Sequence, residues 1–139
     1  AQAAALLVAP FLPHREILDY ASYGKPDAPS GTSRELAEKL DAVAPNQLAM
    51  PVSDTIGWPE ARGAGIAGTQ VHSIRQPSFV VSTEVLFGLT DERLSIRHDA
   101  GSTPQPYVMG TLLAVRAATG ARLRHTPFTP ERVLAAMKA

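Results

Sequence analysis

Hydrophobic residues recur at helical spacing most clearly in residues 32–43. Leu36 and Leu40 lie four residues apart, and Glu35 and Lys39 form an i,i+4 pair on the opposite side. A stripe of apolar residues facing a stripe of charged ones is the pattern of a helix that packs on a core. The pattern therefore predicts an amphipathic helix over residues 32–43.

Three further segments favour helices, namely residues 2–9, 106–118 and 129–138. The first is rich in alanine and leucine, and the prolines that follow it end the pattern. The second is apolar on nearly every side, so it needs cover from most directions. The third begins at Thr129 with Pro130 at the first helical position, where proline is well tolerated.

Alternating apolar and polar residues predict four strands, over residues 15–20, 70–75, 78–87 and 92–98. In the third strand, one face carries Phe79, Val81, Thr83, Val85 and Phe87. The link at residues 88–91 suits a hairpin between the last two strands. We therefore expect the last three strands to form a meander.

These elements predict an α+β fold, in which a mixed sheet of about four strands carries helices on one face. The other face, which includes Val80 and Leu86, has no cover from within the chain. An uncovered apolar sheet face favours contact with another subunit. We expect the open face to be used for oligomerisation.

A long irregular segment, residues 44–67, separates the two halves of this pattern and is rich in proline and glycine. Segments of this length in a small domain are usually functional or form an interface. We expect its tryptophan, Trp58, to pack against an edge of the core.

Composition narrows the classes of function. The chain has 139 residues, which suits a single domain, and it balances 13 basic against 13 acidic side chains. This balance argues against nucleic-acid and membrane-surface partners. With zero cysteines, thiolate metal sites are excluded and a reducing, cytoplasmic compartment is expected. The chain starts at Ala1 within the first helical pattern, which predicts a fragment or a processed product.

Candidate chemistry is concentrated where residues 16–32 pass from a strand through a turn into a helix. Lys25 lies in the turn, and Ser30, Gly31 and Thr32 open the helix. A helix N-terminus presents unpaired N–H groups and a positive dipole end, so this segment could bind a small carboxylate or phosphate beside a lysine amine. The alternative is a surface connection with an ordinary helix cap.

Three other patterns are rejected. Residues 63–68 match GxGxxG but precede a strand instead of opening a helix, so no cofactor-binding residue is assigned there. Residues 22–25 match SxxK, but glycine and proline break the helix that this chemistry needs. The four histidines show no metal-ligand spacing, so no metal site is predicted.

The same 16–32 segment resembles the signature of the 4-hydroxy-tetrahydrodipicolinate (dihydrodipicolinate) reductase family, whose pattern is EIIE-x-HH-x-x-K-x-DAPSGTA. Here EILDY is followed by KPDAPSGT, and residues 71–75 (VHSIR) and 92–98 (ERLSIRH) are similar to two further strands of the family. The resemblance covers about residues 14–118, in the order and spacing of the family.

The resemblance implies that residues 1–139 form only the C-terminal substrate-binding and oligomerisation domain, without the family's N-terminal Rossmann domain. It implies a tetramer, a small dicarboxylate substrate of diaminopimelate and lysine biosynthesis, and NADPH or NADH bound mainly by the missing domain. Lys25 falls on the catalytic lysine, while Ser30, Gly31 and Thr32 fall on the carboxylate-binding segment. The isolated chain is therefore expected to be inactive.

Two residues depart from the family pattern, because Ala21 and Ser22 stand where it has paired histidines. Either the protein protonates through Lys25, with help from Tyr20, Tyr23 or water, or it reduces a related dicarboxylate. A further alternative is a paralogue that has lost reductase activity and serves binding or assembly. A purely structural domain, in which Lys25 is only a solvated charge, is the remaining alternative.

Overall fold

A computed structural model describes residues 1–120 and residue 131. The chain divides into two units, Ala1–Gly101 and Ser102–Ala139, which are treated separately below. The helix predicted over residues 129–138 lies outside the described residues, apart from the single helical residue 131.

The first unit contains two α-helices and five strands. In chain order they are α1 (Gln2–Val8), β1 (His14–Ala21), α2 (Gly31–Val43), β2 (Ala64–Ile66), β3 (Thr69–Arg75), β4 (Val81–Gly88) and β5 (Arg93–Ala100). Short 3₁₀ turns occur at Ala9–Phe11, Val52–Asp54 and Pro59–Arg62. The predicted α+β class is confirmed, although the sheet has one strand more than expected.

The additional strand is β2, which lies inside the segment predicted to be irregular. It pairs with β3 in an antiparallel hairpin that turns at Ala67 and Gly68. Gly63, immediately before β2, has φ of 76°, and a Cβ there would lie 2.6 Å from the carbonyl oxygen of Val71. Glycine is therefore required at Gly63 by close backbone approach. The GxGxxG residues build this hairpin.

The predicted meander is wrong, because the strand order is β2-β3-β1-β4-β5. β1 lies between β3 and β4, parallel to the first and antiparallel to the second. Its inner residues Ile17, Asp19 and Ala21 are completely buried, which suits a central strand. The predicted hairpin between β4 and β5 is confirmed, with the N–H of Leu89 donating to the carbonyl of Glu92 at 2.9 Å.

The hydrophobic core lies between one face of the sheet and the helices α1 and α2. It consists of Ala5, Ala9, Ile17, Leu36, Ala37, Leu40, Val71, Val85 and Phe87. Burying a leucine or phenylalanine contributes about 1.5–3 kcal/mol to folding, so α2 is held chiefly by Leu36 and Leu40. This packing places the first turn of α2 above the C-terminal end of β1.

The opposite face of the sheet, which we call the open face, carries a largely polar network. Tyr20 donates to Glu84 at 3.0 Å, and the Arg97 guanidinium lies 4.6 Å from the centre of the Tyr20 ring. Phe79, predicted on the inner face of its strand, precedes β4 and instead contacts the Tyr20 ring, with 4.9 Å between ring centres. Leu86 is half-buried on this open face.

The expectation that Trp58 packs against an edge of the core is wrong, since its side chain is 79% exposed.

In the second unit, the predicted apolar helix is confirmed as α3 (Gln105–Thr119), near its predicted bounds, and none of its residues is buried. In the described part of the chain, no helix combines the length and apolar character needed to cross a bilayer.

Candidate functional site

The site is organised by Asp19, on the inner face of β1 and fully buried. Its carboxylate accepts hydrogen bonds from the Ser30 N–H at 2.9 Å, the Ser30 hydroxyl at 2.6 Å and the Ser33 hydroxyl at 3.1 Å. It also accepts from Ser73 at 3.2 Å and Arg75 at 2.8 Å. A buried carboxylate needs such donors to remain ionised.

The electrostatics of Asp19 follow from these contacts. Burial alone would raise the pKa of the carboxyl, but the hydrogen bonds from Ser30 and Arg75 together with the Arg75 charge hold the pKa below its ordinary value. Asp19 is therefore a fixed anion that binds the start of α2 to the sheet.

Arg75, at the end of β3, connects this anion to the turn that precedes α2. Its guanidinium pairs with the Asp19 carboxylate and donates to the carbonyl oxygen of Asp27 at 2.7 Å and that of Asp19 at 3.2 Å. One cation thus holds both the strand and the following turn. The planar guanidinium suits this role because it offers several donors in fixed directions.

Lys25 lies within that turn, where its N–H donates to the carbonyl oxygen of Ser22 at 3.0 Å. Its ammonium pairs with the Asp27 carboxylate and is 28% exposed. The hydrogen bond from Lys25 holds the pKa of Asp27 below its ordinary value. Lys25 is therefore linked to the helix start through Asp27, Arg75 and Asp19.

The three residues predicted at the helix start divide into two groups. Ser30 is the N-cap residue and is buried, and its N–H and hydroxyl are both engaged by Asp19. Gly31 and Thr32 are exposed, and their N–H groups make no hydrogen bond within residues 1–120 and 131. Two free amides therefore remain at the positive end of α2, where an anion would be stabilised.

The tyrosines differ sharply as possible proton donors. Tyr20 points to the open face, opposite to Asp19, and its phenol donates to Glu84. Burial and this hydrogen bond raise the pKa of Tyr20. Tyr23 is 72% exposed in the turn that carries Lys25.

The two positions where the family pattern has histidines hold Ala21, which is fully buried, and Ser22, which is half-buried. Neither residue offers an imidazole.

A cavity of about 170 Å³ adjoins the first turn of α2. It is lined by Ala1, Gln2, Thr32, Leu36, Thr83, Val85, Ile96 and His98. Thr32 therefore belongs both to the free helix start and to this cavity. Sequence reasoning missed the cavity, because its walls come from α1, α2, β4 and β5 together.

Two other classes of ligand, a metal ion and a dinucleotide, each need their own arrangement of residues. The described residues contain no group of three or more histidine, aspartate or glutamate side chains placed to hold a metal ion. The GxGxxG residues lie in the β2–β3 hairpin and not at a helix N-terminus, so they do not fit a dinucleotide.

Sequence reasoning missed the roles of Asp19 and Arg75. Strand alternation contained the signal, because Ile17 and Asp19 share the inner face of β1, and a charge there needs a buried partner. The partner could not be chosen from the sequence, since that choice depends on β1 and β3 being neighbours.

A protein-family model, described as "Dihydrodipicolinate reductase, C-terminus", matches residues 1–134. The chain is 40% identical over 123 residues to the 4-hydroxy-tetrahydrodipicolinate reductase of Mycobacterium ulcerans (strain Agy99), covering 86% of this chain and 46% of that protein. It is 36% identical over 112 residues to the reductase of the same name from Carboxydothermus hydrogenoformans (strain ATCC BAA-161 / DSM 6008 / Z-2901), covering 81% and 42%.

Among solved structures, the chain is similar to a dipicolinate-bound dihydrodipicolinate reductase from Paenisporosarcina sp. TG-14. The TM-score is 0.72 at 30% sequence identity, over 79% of this chain and 41% of that one. The chain thus spans less than half the length of the relatives it matches.

Proposed function

The chain belongs to the family of the dihydrodipicolinate reductase C-terminal domain, and from this premise we propose that it is the substrate-binding and oligomerisation domain of an NAD(P)H-dependent reductase. The substrate would be 4-hydroxy-tetrahydrodipicolinate or a closely related cyclic dicarboxylate, reduced in diaminopimelate and lysine biosynthesis. The family match over residues 1–134 is the observation that carries this proposal.

The geometry of the helix start supports a carboxylate site. The N–H groups of Gly31 and Thr32 are free among the described residues, while Ser30 is held by Asp19. In this proposal the two amides bind one substrate carboxylate, and Ser30 fixes their direction. Lys25 neutralises or protonates the anion that develops during reduction.

The glycine-rich segment forms a hairpin instead of opening a helix, so it offers no dinucleotide site for NADPH or NADH. We therefore assign nucleotide binding mainly to a part of the protein outside this chain. The isolated chain would accordingly bind substrate at most and would not turn it over.

Assembly and location complete the proposal. The open face carries half-buried Leu86, and exposed Val80 lies just before β4; we assign the open face to contacts between subunits, with a tetramer as the expected assembly. The absence of cysteine from the sequence fits a cytoplasmic protein.

Turnover by the complete protein tests the proposal. We expect reductase activity with NADPH or NADH, and inhibition by dipicolinate. Lys25→Ala should lower kcat by about 10²-fold or more, the usual contribution of a general acid. Lys39→Ala is the control, because Lys39 pairs with Glu35 on the solvent side of α2. If the complete protein neither binds dipicolinate nor responds to Lys25→Ala, the site assignment is wrong.

A second candidate is a binding or assembly paralogue, which the alanine and serine at positions 21 and 22 favour. Such a protein would bind dipicolinate through the same helix start. It would show no turnover with either nucleotide, which separates it from the reductase.

A further inference from the structure

A row of polar side chains crosses the inner face of the sheet beneath the first turn of α2. Ser73 on β3, Asp19 on β1, Thr83 on β4 and His98 on β5 are successive partners in the strand register. Above the row, the Ser33 hydroxyl donates to Asp19 at 3.1 Å and lies 3.4 Å from the Thr83 hydroxyl. The row therefore runs without interruption from the buried anion to the edge strand.

His98 ends this row and differs from its other members. Ser73, Asp19 and Thr83 each have a hydrogen-bond partner, whereas His98 is exposed and makes none within the described residues. His98 lines the cavity of about 170 Å³ that Thr32 also lines. Two residues that each carry an unpaired polar group, the imidazole of His98 and the main-chain amide of Thr32, thus line one cavity.

The chemistry of this cavity suits a small ring that carries negative charge. Leu36, Val85 and Ile96 supply apolar walls, while no carboxylate is among the lining residues. Among the side chains of the lining residues, the His98 imidazole is the ionisable one. The volume equals that of about six water molecules at ~30 Å³ each, which is the scale of a single ring.

We propose that His98 supplies the imidazole that Ala21 and Ser22 cannot, and that its protonated form binds a carboxylate of the dicarboxylate anchored at Gly31 and Thr32. This inference rests on the proposed function and names the residue that would replace the missing histidine pair. The ring of the ligand occupies the cavity, and its two carboxylates contact the free amides and His98.

The charges around His98 permit this role. Its neighbours in the chain, Arg97 and Asp99, lie on the open face and bond to each other at 2.8 Å. The Asp99 carboxylate interacts electrostatically with His98. The cavity-lining residues of α1, α2 and β4, which are Gln2, Thr32, Leu36, Thr83 and Val85, bring no charged side chain.

The test is dipicolinate binding to the complete protein, with NADPH present, at pH 6 and at pH 8.5. Imidazole groups change charge within this interval. We expect tighter binding at pH 6, and we expect His98→Asn to weaken it about tenfold there, with little effect at pH 8.5. His14→Asn is the control, since His14 is exposed at the other end of β1 and contacts the Gln47 carbonyl at 2.9 Å.

A measurement on the unaltered protein tests the same inference without depending on whether the variant folds. The imidazole NMR signals of His98 should shift on addition of dipicolinate, while those of His14 should not. If dipicolinate binds but His98 neither shifts nor affects affinity, the inference is overturned and the proposed function stands. If the unaltered protein does not bind dipicolinate at either pH, both are overturned.

Discussion

The guanidinium of Arg75 donates to the main-chain oxygen of Asp27 at 2.7 Å, through the same nitrogen that lies 2.8 Å from the Asp19 carboxylate. This contact joins the end of β3 to the turn that holds Lys25. The distance between the turn and the start of α2 is therefore set by a residue that lies 48 positions later in the chain than Asp27.

Arg75→Lys should weaken dipicolinate binding to the complete protein about tenfold. A lysine keeps the positive charge but cannot keep several donors in fixed directions, so the contact with Asp27 is lost. The free energy of unfolding should fall by about 1–3 kcal/mol. Calorimetric titration and urea denaturation measure the two effects. Arg93→Lys, at an exposed position without a described ion pair, is the control, and equal affinities would contradict the prediction.

Stability in acid should depend on Asp19. Its folded pKa is depressed, so the unfolded chain binds more protons, and the stabilisation is present above the unfolded value of about 4 and lost as pH falls through the folded pKa. Asp19→Asn should lower the unfolding free energy at pH 7 by about 3 kcal/mol and flatten its decline in acid.

Urea denaturation between pH 7 and pH 3 checks this prediction. Asp91→Asn, in the exposed link between β4 and β5, should leave both the stability and its acid dependence nearly unchanged. An Asp19→Asn curve parallel to that of the unaltered chain would show that Asp19 does not carry this effect.

Gly31→Pro should remove one amide donor without breaking α2. Proline suits the first helical position, and Ser30 before it already has the extended backbone that proline requires, with φ of −62° and ψ of 154°. Dipicolinate should then bind about tenfold more weakly. Gly31→Ala keeps the amide and has room for its Cβ, whose nearest neighbour is 3.9 Å away, so its affinity should be unchanged.

Leu86→Arg should separate the subunits. If the open face is an interface, an arginine there brings an unpaired charge into it, and association should weaken by about 100-fold. Light scattering after size-exclusion chromatography measures the mass. Leu89→Arg, in the β4–β5 link, is the matched control. An unchanged mass for the Leu86 variant would place the subunit contacts elsewhere.

The sequence predicted the elements better than their arrangement. Leu36 and Leu40 identified α2, and alternation identified four strands, because both periodicities reflect local burial. Alternation does not reveal which strand lies beside which, so the insertion of β1 between β3 and β4 was not foreseen. The strand β2, with only three residues, is too short for a periodic signal.

The site shows the same limit. Lys25 and the helix start at Ser30 followed from one contiguous motif, and their roles in substrate binding remain predictions. The sheet register brings Asp19 to Arg75 and places His98 in the same row two strands away, and no local pattern contains that register. The sequence motif assigned Ser30, Gly31 and Thr32 to the same role. Only the buried contact of Ser30 with Asp19 distinguishes it from the other two.

Asp19 and Tyr20 are consecutive in β1, yet one enters the buried anion network and the other the open-face network with Glu84. Deleting a single residue upstream within β1 would exchange the two, placing a phenol under α2 and a carboxylate beside Glu84. A substitution in this strand therefore alters one of the two surfaces, whereas a one-residue shift of register inverts both surfaces together.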